Sequence, residues 1–247
     1  AELIRTSGKF RWFETATFVS AITLSSLRVW DPAKIRLLAS FYQDNSHDVS
    51  ERALTGLILS LYTYDSRLSL YPEIIEVLKG MAAINGFRER CQTVILQIIK
   101  SRETEKLSRR MNEEILPKVV KMKPDIEDKL DLDALLGKDT GEDRNPDWSD
   151  MFKESEELYK TMEELANLQM EGSDVYMSAF SGLKNFDFFR EFRNWFTPFY
   201  PDNETVDTIY NDKILGPGIN ELAEALYKTP FICNSDKFSL ILNLSNL

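Results

Sequence analysis

Apolar residues recur along this chain at intervals of three and four, the spacing of one helix face. They nowhere sustain the two-residue alternation of a half-buried strand. Ile35, Leu37, Leu38 and Phe41 follow Pro32, and Ile75, Val77, Leu78 and Met81 follow Pro72 in the same order forty residues later. A proline suits the first turn of a helix, where its missing N–H has no helical partner to lose. The pattern predicts one helix opening at Pro32 and another at Pro72. A second helix follows each. Val49, Glu51, Arg52, Ala53, Leu57, Ile58 and Leu61 recur as Phe87, Glu89, Arg90, Cys91, Ile95, Leu96 and Ile99, at an offset of 38. The offset shrinks by two because the loop around Asn85-Gly86 is two residues shorter.

Two helices per unit with a period of about forty make a helical-hairpin repeat. Asp48-Val49, Arg52-Ala53 and Leu57 follow the order in which the second helix of a HEAT unit opens, and Asn85-Gly86-Phe87, Arg90-Cys91 and Ile95 follow it more loosely. The chain thus resembles the HEAT family over about residues 30–100, with a partial unit in Trp12 to Leu27. As a whole it is similar to the early part of long bacterial helical-repeat proteins. The resemblance implies an all-α fold, an α-α superhelix of HEAT-like helical hairpins with a further helical layer. It assigns no activity.

Downstream, Leu107, Met111, Ile115 and Val119 give a helical line from Glu103 to Lys121, interrupted at Pro117. The run Gly137-Lys-Asp-Thr-Gly-Glu-Asp-Arg-Asn-Pro146 has no apolar residue and reads as a connector. The expected organisation is repeats over 1–123, an acidic polar linker over 124–146 and a second helical region over 147–247 that continues the array. That region opens with a helix of about 20 residues ending near Gly172, with Ser173-Asp174 capping the next. Short helices are expected at Thr205–Asn211, Gly218–Lys228 and Asp236–Asn246. The apolar C-terminal run reads as a helix cut short of its partner, the expectation for a piece of a longer protein.

Charge divides the 247 residues unevenly. The net value is −10, but residues 1–123 carry 19 basic against 14 acidic side chains, and 124–247 carry 11 against 26. An acidic second half speaks against general nucleic-acid binding, which needs a contiguous positive surface. No apolar run approaches the length of a membrane span, so no membrane insertion is expected. Cys91 and Cys233 stand far apart outside any CxxC pair. Two buried thiols in a reducing, cytoplasmic compartment are the expectation.

The candidate chemistry is sparse. His47 is the only histidine and sits in a polar turn, so a nucleophile–His relay would depend on it alone. Metal sites built from several histidines, from four cysteines, or from two cysteines with two histidines are excluded by composition. P-loop, dinucleotide and nucleophile-elbow motifs are missing from the chain. The acidic loop Asp139 to Asp147 lacks the alternating ligands of a calcium loop. The glutamates at 154, 156, 157, 163, 164 and 171 read as a solvated helix face. No catalytic residue, metal site or cofactor is therefore expected.

Two surfaces remain. The first is aromatic: eight aromatics fall within residues 186–200. Read as a helix, this block turns Phe188, Phe192, Trp195 and Phe199 inward as a packing seam. Phe186 and Phe189, with Tyr200, are left as candidates for binding a protein or peptide partner. The second is basic: Arg102, Lys106, Arg109 and Arg110 share one helical side, diluted by nearby glutamates. The first favours a non-catalytic scaffold or protein-interaction module. The second favours the alternative, a nucleic-acid-binding or base-processing HEAT-like protein.

Overall fold

A computed structural model describes residues 10–115, 117, 156–170, 172–175, 177–200, 203–206 and 218–244. The linker 124–146 and its acidic loop lie outside the described residues. The chain is all-α, with no strand among the described residues. Its described α-helices, in chain order, are α1 Trp12–Arg28, α2 Pro32–Phe41, α3 His47–Thr63, α4 Pro72–Ala82, α5 Phe87–Ser101, α6 Thr104–Arg110, α7 Glu156–Met170, α8 Met177–Ser181, α9 Gly218–Lys228 and α10 Asn234–Leu244. A 3-10 turn, Asp65–Leu70, links α3 to α4, and a π-type turn, Met111–Ile115, follows α6. Two compact units emerge. The first holds residues 1–98 and 187–198, the second 99–186 and 199–247.

In the first unit the helix starts follow their sequence signals. Pro32 and Pro72 each occupy the first helical turn. Asp31 caps α2 by accepting the Ala33 N–H at 2.8 Å. Gly86, at φ +78°, turns the chain between α4 and α5 in a conformation that L side chains rarely adopt. The core is continuous from α1 to α4. Val19, Ile35, Leu38, Phe41, Val49, Leu54, Leu57 and Ile74 are fully withdrawn from solvent. Leu37, Val77 and Leu78, three of the repeated aliphatics, pack around them, with Phe87, Cys91 and Val94 of α5. Cys91 is thus half-buried rather than fully enclosed.

α1 and α3 are the most intimately packed helices of this unit. A Cβ at Gly56 would stand 2.0 Å from Thr23 Oγ1, so only glycine permits this approach. Alternate helices are also tied by matched arginines. Arg52 of α3 donates to Ser20 Oγ of α1 at 3.0 Å. Arg90 of α5, its sequence counterpart, donates to Glu51 Oε1 and Ser50 Oγ of α3, both at 2.7 Å. Arg90 also lies 4.4 Å above the Tyr42 ring, whose backbone carbonyl accepts from Ser50 at 2.6 Å.

In the second unit, α8 packs on α6 and α10, and α9 on α10. Its described core is Val175, Phe199, Val206, Ala223, Leu226, Phe238 and Ile241. The short helix expected at Thr205–Asn211 is present at 204–206, and its remainder lies outside the described residues.

Residues 187–198 correct the sequence reading. They form two 3-10 turns, Asp187–Arg190 and Phe192–Trp195, instead of one helix. Aromatics lose rotamer freedom in a helix, and here side chains compete for the backbone. Asn194 Nδ2 donates to the Phe188 carbonyl and Trp195 Nε1 to the Phe189 carbonyl, each at 2.8 Å. The helical face assumed for Phe188, Phe192, Trp195 and Phe199 therefore does not form.

Candidate functional site

Once the helix is replaced by two turns, the aromatic side chains point differently. Phe189, expected at an exposed groove, is 5% exposed, and Phe192, expected in a packing seam, is 69% exposed. Trp195 is 43% exposed. Phe189 is enclosed partly by its own segment. Its ring centroid lies 5.1 Å from that of Phe188 and 5.2 Å from that of Trp195. Phe192 stacks edge-on against Phe196 at 5.3 Å. Phe186 and Tyr200 are half-buried and belong to the second unit, whereas Phe189 belongs to the first. The structure does not bring the three together as one surface within a unit.

The turn is held from outside by Arg52, which donates to the carbonyl of Phe196 as well as to Ser20. Burial pushes this guanidinium below its ordinary value, and Asp48 partly offsets that. Local charges close on themselves: Arg190 pairs with Asp187 at 3.0 Å and Arg193 with Glu191 at 2.8 Å. The product is an aromatic knuckle, fixed by backbone hydrogen bonds, with Phe192 and Trp195 on its outer side. The role of Arg52 carried no sequence signal beyond its match to Arg90.

The basic positions are largely neutralised. Lys106 pairs with Glu103 at 3.0 Å and Arg109 with Glu105 at 3.6 Å. Arg110 grips Glu164 with both nitrogens, at 2.6 and 2.9 Å, and pairs with Glu114 at 3.4 Å. Arg102 is exposed in the turn after α5. Hydrogen bonds from Arg110 hold the Glu164 carboxyl below its ordinary value, and Glu164 raises Arg110 in return.

The remaining chemistry-bearing groups are placed for structure. His47 is exposed on the first turn of α3, with Nδ1 3.6 Å from Glu51 Oε1. Lys184 lies 2.7 Å from the buried Asp236 and donates to Ser235 Oγ at 3.0 Å. Cys233 is a surface residue instead of the buried thiol expected, with Sγ 3.2 Å from Ser235 Oγ. Partial desolvation raises both the Cys91 and Cys233 thiols above their ordinary values, the direction opposite to nucleophile activation. Among the described residues, no group of three or more His, Cys, Asp or Glu could hold a metal ion. No described helix is long and apolar enough to cross a membrane. A shallow groove of about 370 Å³ lies between α2 and α4, lined by Arg36, Gln43, Val77, Gly80, Met81 and Ile84.

No protein-family model, curated protein or solved structure matches this chain, so its residues alone carry the functional argument.

Proposed function

We propose that this chain is a non-catalytic helical scaffold, a HEAT-like repeat module that binds a protein partner through the aromatic knuckle. The observation that carries the reading is the exposure of Phe192 and Trp195 on a turn whose backbone is already fixed. Large aromatics on a preorganised support lose little entropy when covered, the condition under which such residues dominate interface energy. Phe189 supports the knuckle from within and is no longer a contact candidate. The ion-paired state of Lys106, Arg109 and Arg110 removes the main support for the nucleic-acid alternative.

The test is crosslinking from a photoreactive residue at position 192 in cells of the native host, followed by binding of the purified adduct protein. The reading predicts a discrete protein adduct whose binding weakens about tenfold or more with Trp195→Ala. An adduct to nucleic acid, or no adduct, overturns it.

A further inference from the structure

Arg52 and Arg90 sit in matched settings that differ in one group. Ser50 Oγ donates to the Tyr42 carbonyl at 2.6 Å and accepts from Arg90 at 2.7 Å, and Glu51 beside it offers Arg90 a carboxylate at 2.7 Å. Ser20 Oγ likewise donates to the Ala16 carbonyl at 3.1 Å and accepts from Arg52 at 3.0 Å. The residue after Ser20 is Ala21, which is exposed and brings no charge. Among the described residues no carboxylate pairs with Arg52, and Asp48 acts on it only through space. Its second acceptor is instead the main-chain carbonyl of Phe196. Residues 187–198, which carry that carbonyl, group with the first unit, whereas Phe186 and Phe199 on either side group with the second.

We propose that residues 187–198 are a displaceable strap: Arg52 and Ser20 form a seat for a carboxylate, the Phe196 carbonyl fills it in this structure, and an arriving carboxylate releases the segment. A carboxylate offers a guanidinium two oxygens and a full opposite charge. A carbonyl offers one oxygen and a dipole, so the present occupant is the weaker ligand. The ion pairs Asp187–Arg190 and Glu191–Arg193 close within the segment, as do the bonds from Asn194 and Trp195 to the Phe188 and Phe189 carbonyls. None of these four resists its departure, because all travel with it. The inference goes beyond the protein-binding reading: it concerns what anchors the knuckle from beneath, and it needs no partner at Phe192 or Trp195.

The test is hydrogen exchange of the intact chain, read by mass spectrometry over residues 187–198 and separately over α1 and α3. Ala21→Glu sets a carboxylate beside Ser20 as Glu51 stands beside Ser50. It should speed exchange in 187–198 about tenfold or more, the loss expected for a hydrogen bond to a charged group. Protection of α1 and α3 should stay as in the parent. Ala21→Gln, of the same length but uncharged, should leave the segment protected. Arg52→Gln removes the seat and should also speed exchange in 187–198. Adding Ala21→Glu to Arg52→Gln should then change nothing further, since the carboxylate has no guanidinium to take. Unchanged exchange in Ala21→Glu, or an equal rise in Ala21→Gln, overturns the proposal. Protection lost across α1 and α3 in Ala21→Glu would show disrupted packing instead of a replaced acceptor, and overturns it as well.

Discussion

Gly56 packs directly on Thr23: a side chain at position 56 would place its Cβ 2.0 Å from Thr23 Oγ1 and 3.0 Å from Thr23 Cβ. The hydroxyl cannot rotate away without giving up its 3.0 Å bond to the Val19 carbonyl. Gly56→Ala therefore separates α1 from α3 despite its better helix propensity. Overpacking costs about 1–3 kcal/mol, and propensity returns up to about 1 kcal/mol. The expected outcome in urea denaturation is a net loss of roughly 1–2 kcal/mol. The loss should shrink in a Thr23→Ala background, where the hydroxyl and methyl are removed. A stabilised Gly56→Ala variant would contradict this packing.

Phe199 and Phe192 sit seven residues apart in one aromatic run and should respond oppositely to truncation. Phe199 is 2% exposed, with its ring 5.0 Å from Phe238 and its N–H bonded to Asn234 Oδ1 at 3.1 Å. Phe199→Ala should cost about 3–5 kcal/mol. Phe192→Ala should stay within about 0.5 kcal/mol of the parent. Chemical denaturation of the two variants checks this, and equal losses would return Phe192 to the core.

The Lys184–Asp236 pair is largely enclosed, so removing one partner strands the other. Lys184→Met leaves the Asp236 carboxylate buried without its cation, at an expected cost of about 3–5 kcal/mol. Adding Asp236→Leu should recover a large part of that loss. Thermal unfolding at neutral pH measures both. A single variant as stable as the parent would show that the pair contributes nothing.

Arg110 and Glu164 form a pair of another kind, exposed and bidentate. Glu164 titrates lower in the folded chain than in the unfolded one. Its contribution is therefore present above the unfolded carboxylate range and is lost as pH falls through the folded value. Exposure limits the contribution to about 0.2–1 kcal/mol. Glu164→Gln should lower stability by that amount at neutral pH and match the parent in strong acid. Salt at about 1 M should narrow the neutral-pH difference. A gap that widens on acidification would reverse the assigned sign.

The helices of the first unit were legible because their signals are local. Pro32 and Pro72 open helices, and Ile35, Leu38, Phe41 and Leu57 bury as their spacing predicts, whereas their counterparts Ile75, Ile95, Leu96 and Ile99 are not enclosed as the repeat predicts. The match of Arg52 to Arg90 also survived as geometry, since both reach back to a serine two helices earlier in the chain. The aromatic run was misread because its three-and-four spacing imitates a helix. The hydrogen bonds of Asn194 and Trp195 to nearby carbonyls, which favour tight turns, have no periodic signature. The exposure of Phe192 and the burial of Phe189 both follow from those two turns. Lys184 and Asp236 were invisible for a different reason: ion pairs between distant residues leave no pattern in one sequence.

The hydrogen bond between Arg52 and the Phe196 carbonyl spans 144 positions of the chain. At a synthesis rate of about 5–20 residues per second, Arg52 emerges roughly 7–30 s before its acceptor exists. During that interval the α1–α5 helices can assemble, but the surface destined for residues 187–198 has no cover. Contacts this distant also slow folding, because the entropy of closing so long a loop is lost before they form. The nascent chain thus passes through a stage in which its first unit is nearly built while Arg52 still lacks its acceptor at Phe196. A fragment ending at residue 98 would be arrested at that stage.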